Sequence, residues 1–226
     1  MGFHLENVIP WGRSMQEYVR MFDLTPDELK LAILDCAGGP ASFNVEMTRL
    51  GYKVISCDPV YQFTASEISQ RIQDTYQVVI DGVRATWDKF VWQDIQSPEQ
   101  HGQLRMAAMR QFLEDFPQGI KEGRYVIDEF PVLSFNTAQF DLALCSHFLF
   151  TYSEQLGADF HLASILEMCR VAKEVRIFPL LVNFSGETSP LLQLVINELK
   201  QRGYKAEIKL VPYEFQKGGN KMLRIC

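Results

Sequence analysis

Apolar positions along this 226-residue chain change period several times, and each change marks an element. Met15, Tyr18, Val19 and Phe22 recur at intervals of three and four, the spacing of one helix face, and predict an amphipathic helix over residues 11–22. Thr25, Pro26, Asp27 and Glu28 read as the opening of a second short helix: a capping hydroxyl, a proline whose missing N–H would be unpaired anyway, and acids in the first turn. From residue 31 the pattern becomes short apolar runs separated by helix-length segments. Runs at 31–36 and 53–57 read as buried strands. The helix between them, over 42–50, stops at Gly51, a residue suited to the left-handed C-terminal position. Another helix starts near Thr64, carries Ile68 and Ile72 on one face and extends towards Val79. This alternation implies a parallel sheet.

Between residues 74 and 123 the regular beat is lost, and Trp87, Phe90, Trp92, Met106, Met109, Phe112 and Phe116 sit among glutamines. The segment reads as two or three helices with turns near Ser97-Pro98 and Pro117-Gln118-Gly119, a helical insertion that is either a lid or a packing appendage. Alternation resumes with strands at 125–127, 141–145 and 175–181 and helices at 162–171 and 191–202, the last ended by Gly203. Two β-rich runs, 206–215 and 221–226, are joined by Gln216-Lys217-Gly218-Gly219-Asn220, which signals a hairpin and not another crossover. The expectation is one α/β domain over residues 1–226: N-terminal helices in 1–30, a mostly parallel sheet with helices on both faces, a closing antiparallel hairpin, and the 74–123 insertion.

Composition narrows the classes. Hydrophobic residues make up 47% and charged residues 22%, enough apolar material for a true core. The net charge of −6 works against sequence-independent binding to phosphate backbones, so nucleic acid is disfavoured as a partner. Residues 1–10 lack a basic stretch followed by an apolar core, and no apolar run approaches about 18 residues, so neither secretion nor membrane spanning is expected and the cytoplasm is the default. Cys36, Cys57, Cys145, Cys169 and Cys226 form no CxxC pair and read as small, inert hydrophobes. His4, His101, His147 and His161 lack metal-ligand spacing, and no metal is expected.

The candidate chemistry lies at Ile33-Leu34-Asp35-Cys36-Ala37-Gly38-Gly39-Pro40-Ala41-Ser42-Phe43 and at Gly51-Tyr52-Lys53-Val54-Ile55-Ser56-Cys57-Asp58. An apolar run ending in an acid, a tight turn of small residues, a helix, and a second apolar run ending in an acid is the layout of a nucleotide-cofactor site. Small residues let the backbone approach a ligand, the next helix presents unpaired N–H groups, and the second acid can accept from both ribose hydroxyls of an adenosine. Pro59 biases Asp58 towards an extended strand end.

In its order of motifs the chain resembles the class I S-adenosylmethionine-dependent methyltransferases, whose Rossmann-like seven-stranded sheet carries an antiparallel last strand. Asp35 matches the acid of their first loop, Ala37, Gly39 and Ala41 fall on its three glycine positions with Gly38 and Pro40 between them, and Asp58 matches the acid after strand two. Residues 128–135, followed by 139–144, are similar to the adenine-contacting region and strand four, and residues 167–171 to the helix before strand five. The resemblance covers most of residues 31–226 outside 74–123. Two departures are Ala at two glycine positions and Ala172-Lys173-Glu174 in place of the Gly-Gly turn before strand five. A methyl group at Ala37 would narrow the pocket if its backbone needs φ > 0 or close contact with ligand.

The resemblance implies S-adenosylmethionine as cofactor and a small-molecule acceptor. It assigns Asp58 and Pro59 to the ribose side, Ala37, Gly38 and Gly39 to the methionine and ribose, Glu129 and Phe130 to the adenine, and Asp35 to orienting the loop or reaching the methionine ammonium through water. Asp58 could instead cap the following turn, and Asp128 competes with Glu129. Ser146 and His147 follow strand four at the carboxyl edge, where His147 is either a proton acceptor or a hydrogen-bonded structural residue. Arg13, with Trp11 and Tyr18 in the leading segment, either pairs with the methionine carboxylate or is a solvated surface cation. Residues 213–220 read as hairpin structure. An Asn-Pro-Pro-Tyr type signature of base-methylating enzymes is absent after strand four. Two other readings stand beside methyl transfer: an inactive cofactor-binding or interaction protein of the same fold, and a nicotinamide-dependent oxidoreductase, against which Ser42 occupies the last glycine position of the dinucleotide fingerprint.

Overall fold

A computed structural model describes residues 9–226. His4 and most of the segment read for a leader lie outside the described residues. The sheet contains seven strands, β1 (Ile33–Cys36), β2 (Val54–Cys57), β3 (Tyr125–Val126), β4 (Phe140–Ser146), β5 (Ala172–Phe178), β6 (Ala206–Leu210) and β7 (Lys221–Ile225), in the spatial order β3-β2-β1-β4-β5-β7-β6. Pairing is parallel from β3 through β5, and β7 is antiparallel to both β5 and β6. The helices are α1 (Met15–Met21), α2 (Phe43–Arg49), α3 (Ala65–Ala85), α4 (Pro98–Lys121), α5 (Ala158–Val171) and α6 (Leu192–Gln201). The fold is the expected Rossmann-like α/β sheet with an antiparallel C-terminal hairpin.

Strands buried on both faces must be apolar on both, and these are. Leu34, Ala143, Val175 and Ile177 pack on one face with Ile165 and Met168 of α5 and Val195 and Leu199 of α6. Ile33, Leu142 and Leu144 point the other way, against Tyr18 and Met21 of α1, Phe22, and Phe43 and Met47 of α2. Cys36, Cys57 and Cys145 are free and buried in this core, and burial pushes the Cys145 thiol up to about 12. No helix among the described residues is long and apolar enough to cross a membrane.

Three local differences from the sequence expectation have physical causes. Helix α1 starts at Met15 and not at residue 11, because Ser14 closes a capping box with Glu17. Thr25 and Glu28 make the same reciprocal pair, but the turn they open is a single 3-10 turn, Glu28–Lys30. The turn expected at Pro117 to Gly119 does not exist, since α4 runs through Pro117 to Lys121. An interior proline costs a helix about 3 kcal/mol. Here Phe112 and Phe116 pack on Tyr61 and Tyr125, and Gly119 lies so close to Tyr125 that a Cβ would sit 2.3 Å from its ring, so packing holds the helix together. Residue 74 lies midway along α3, which continues unbroken to Ala85 and packs against α4.

Candidate functional site

The chain leaves β1 towards β2 and leaves β4 towards β5, so the order of strands reverses between β1 and β4. Connections diverge at such a point and leave a crevice at the carboxyl ends of the strands, where ligands of open α/β sheets bind. A cavity of about 490 Å³ opens there. Ala37, Gly38 and Gly39 wall it after β1, Asp58 and Pro59 after β2, and Glu129 and Phe130 after β3. Ser146 and His147 close it after β4, and Trp11, Arg13 and Tyr18 cover it from the leading segment.

Asp58 caps the turn that follows it and also lines the cavity. Its Oδ1 accepts from the Val60 N–H at 2.7 Å, capping the 3-10 turn Pro59–Gln62, and its Oδ2 accepts from the Gly39 N–H at 2.9 Å. Each oxygen keeps a further lone pair, and the side chain lines the cavity. Burial raises its pKa to about 6; the two N–H donors work against that rise and Glu129 adds to it.

Asp35 is the exception among the candidate residues, because it does not reach the cavity wall. Its Oδ1 accepts from the Tyr18 hydroxyl at 3.0 Å and its Oδ2 from Ser56 Oγ at 2.9 Å, so the buried carboxylate is sequestered beneath the loop. Gly38 lies directly over it: a Cβ there would stand 2.3 Å from Asp35 Oδ2. Its contacts run to Tyr18, to Ser56 and to the underside of the turn at Gly38. Burial pushes its pKa up to about 7, opposed by both hydroxyls and aided by Asp58.

Two non-glycine residues flanking the crevice lie in the left-handed region, Ala37 at φ 52° and His147 at φ 53°. Backbone strain of this kind concentrates at ligand sites. Ala37 is among the residues that line the cavity. The His147 N–H donates to the Phe178 carbonyl at 2.7 Å, and its Nδ1 lies 2.9 Å from Ser146 Oγ. Burial holds its pKa well below the usual imidazole value, with Arg13, Arg105 and His101 pushing the same way, so the ring is neutral at neutral pH. Arg13 is no solvated surface cation. One guanidinium nitrogen donates to the Trp11 carbonyl at 2.8 Å, Nε is buried without a partner, and no carboxylate among the described residues pairs with it.

A second, smaller cavity of about 90 Å³ adjoins the first, sharing Ile9, Trp11, Arg13 and His147 as walls. Sequence reasoning missed its polar residues. His101 and Arg105 come from α4, Thr151 from the loop after β4, and Tyr213 from the segment read as hairpin structure. Arg105 forms a two-pronged ion pair with Glu17, whose pKa falls to about 2 and which also accepts from the Tyr213 hydroxyl at 3.0 Å. Burial disfavours the Glu17 charge, and the Arg105 guanidinium overrides it. The available signal was a histidine and an arginine four residues apart on the apolar stripe that Ala108 and Phe112 continue. The 74–123 segment walls this small cavity through Val79, Val83, Phe90, His101 and Arg105 and does not line the large one.

The chain is 34% identical over 223 residues to the uncharacterized protein MJ0045 of Methanocaldococcus jannaschii, a match spanning 98% of this chain and 97% of that protein. It belongs to the MJ0045 family. No family model matches the chain. Among solved structures, a SAM dependent methyltransferase from Aquifex aeolicus aligns with 92% of this chain and 90% of its own at 13% identity and a TM-score of 0.43. The PH0226 protein of Pyrococcus horikoshii OT3 aligns with 93% of this chain and 88% of its own at 10% identity and 0.46. Magnesium protoporphyrin IX methyltransferase from Synechocystis, solved with bound SAM, aligns with 88% and 71% at 11% identity and 0.43.

Proposed function

We propose that this member of the MJ0045 family transfers a methyl group from S-adenosylmethionine to a small-molecule acceptor. The observation that carries the reading is the cavity at the strand-order reversal with the Asp58 carboxylate on its wall beside the Gly38-Gly39 backbone. Its volume, about 490 Å³, falls within the span of small-molecule sites.

The residues present fit that cofactor. Asp58 offers one unused lone pair on each oxygen for two ribose hydroxyls. Arg13 stands on the wall common to both cavities and is left to the smaller one. Glu129 and Phe130 are assigned to the adenine, and Ala37, Gly38 and Gly39 to the amino-acid tail.

S-adenosylmethionine when bound supplies a methyl group on a positive sulfur, released as the carbon–sulfur electron pair stays with the sulfur. The chain then has to align an acceptor and exclude water. His147 stands on the wall common to both cavities, already neutral, and is assigned to take the proton where the acceptor atom carries one.

Titration with S-adenosylhomocysteine tests the reading. The parent should bind it, and Asp58→Ala should bind about tenfold or more weakly, since two hydrogen bonds to a charged group are lost. No heat and no thermal shift at millimolar ligand, or an Asp58→Ala affinity equal to the parent's, would remove the methyl-transfer reading.

A further inference from the structure

Five buried side-chain polar atoms in the described residues have no hydrogen-bond partner: Arg13 Nε, His101 Nδ1, Arg105 Nε, Thr151 Oγ1 and Ser164 Oγ. All but Ser164 belong to residues that line the small cavity. Unpaired buried polar atoms are uncommon because each forfeits its hydration, so four around one space is a strong signal of a ligand.

Their chemistry is one-sided. An arginine Nε can only donate. His101 Nε2 accepts from the Trp11 indole N–H at 3.3 Å, which leaves the hydrogen of the neutral ring on Nδ1, so that atom donates as well. Thr151 supplies a hydroxyl that can turn its hydrogen inward. His101, Arg105 and Thr151 are each less than one-tenth exposed. Among the described residues the charges facing this space are Arg13 and Arg105, with Glu17 cancelling one of them; His101 and His147 are neutral, and no carboxylate of the described residues lines the cavity. One positive charge is left over. Val79, Val83, Phe90, Phe178 and Phe215 supply an apolar remainder.

We propose that the small cavity binds the carboxylate of a small organic monoanion, which is the methyl acceptor, with Arg105 Nε, His101 Nδ1 and Thr151 Oγ1 as its donors. A single surplus charge favours a monoanion over a phosphate dianion, and the apolar walls receive the body of the molecule. The shared wall of Trp11, Arg13 and His147 turns the rest of the acceptor towards the large cavity. The acceptor role rests on the methyl-transfer reading; the carboxylate site does not.

Benzoate and butyrate, titrated into the full chain with and without saturating S-adenosylhomocysteine, are the probes, and benzamide and inorganic phosphate are the comparators. At least one carboxylate should bind and raise the unfolding midpoint, with an affinity about tenfold or more above both comparators, because its hydrogen bonds are charge-assisted. Thr151→Val removes only a hydroxyl that the fold leaves unpaired, and His101→Phe keeps the ring stack on Phe215, so both variants should fold. Each should weaken carboxylate binding about tenfold. The site is overturned if neither carboxylate binds at about 10 mM, if benzamide or phosphate binds as well, or if both variants match the parent. S-adenosylhomocysteine binding without carboxylate binding removes this inference alone. Carboxylate binding without S-adenosylhomocysteine binding removes the cofactor reading and leaves the anion site.

Discussion

Replacing Asp35 by Asn keeps the shape of a buried side chain and deletes its ability to ionise, and the consequence is calculable. Asp35 is 1% exposed, and its pKa stands at about 7 in the fold. In the unfolded chain it returns to about 3.9. A carboxylate that holds its proton more tightly when folded supports the fold fully below the unfolded value. That support drains away as pH rises to the folded one, because the unfolded chain ionises first. Each unit of difference corresponds to about 1.4 kcal/mol, so the whole change is about 4 kcal/mol, and about 3 kcal/mol of it falls between roughly pH 4.5 and 7.5. His101 and His147, held neutral by burial, act in the opposite direction, gaining stability as pH rises. They are common to both chains, so the difference between variant and parent isolates Asp35. Urea unfolding at several pH values measures it. With a slope of about 2 kcal/mol per molar, the Asp35→Asn midpoint should gain about 1.5 M on the parent's across that window. Parallel pH profiles for the two chains would refute the reasoning and mean that Tyr18 and Ser56 stabilise the ionised carboxylate as well as water does.

Two further outcomes follow from the same geometry. Ala37→Gly relieves a left-handed backbone worth about 1–2 kcal/mol and loses about 0.4–1 kcal/mol to the freer unfolded chain, so thermal unfolding should show a net gain near 0.5 kcal/mol; a clear loss would mean that the methyl packs more than it strains. Arg105→Met leaves Glu17 charged in a largely buried site without its guanidinium partner and should cost about 3–5 kcal/mol. Adding Glu17→Gln should return about 2 kcal/mol or more of that, and strictly additive effects in the double variant would show that the two groups are not coupled.

Much of the fold was legible from period alone. The strand runs at 31–36 and 53–57, the helices stopping at Gly51 and Gly203 and the closing hairpin all appear with boundaries shifted by a few residues, because burial on one or two faces writes itself directly into residue spacing. Pro117 was misread because a proline's local cost is visible in sequence, whereas the Phe112, Phe116 and Tyr125 packing that outweighs it comes from a β-strand residue and a helix meeting in space. Asp58 was legible as a strand-end acid, and it lines the cavity. Asp35 matched the same pattern, and its sequestration by Tyr18 and Ser56 depends on side chains from two other elements.

What the sequence determined by itself is the succession of strands along the chain, their mostly parallel course with a closing hairpin, and the acids at the ends of the first two strand runs, since apolar periodicity and turn residues act over a handful of neighbours. Only the tertiary structure decided which polar groups share a cavity. His101 and Arg105 share one stripe of α4, but Thr151 after β4, Tyr213 near the hairpin and Arg13 ahead of α1 lie far from them in the chain, and nothing local connects these three with that helix. Burial brings them together, and burial is also what makes an unmatched donor or charge among them costly.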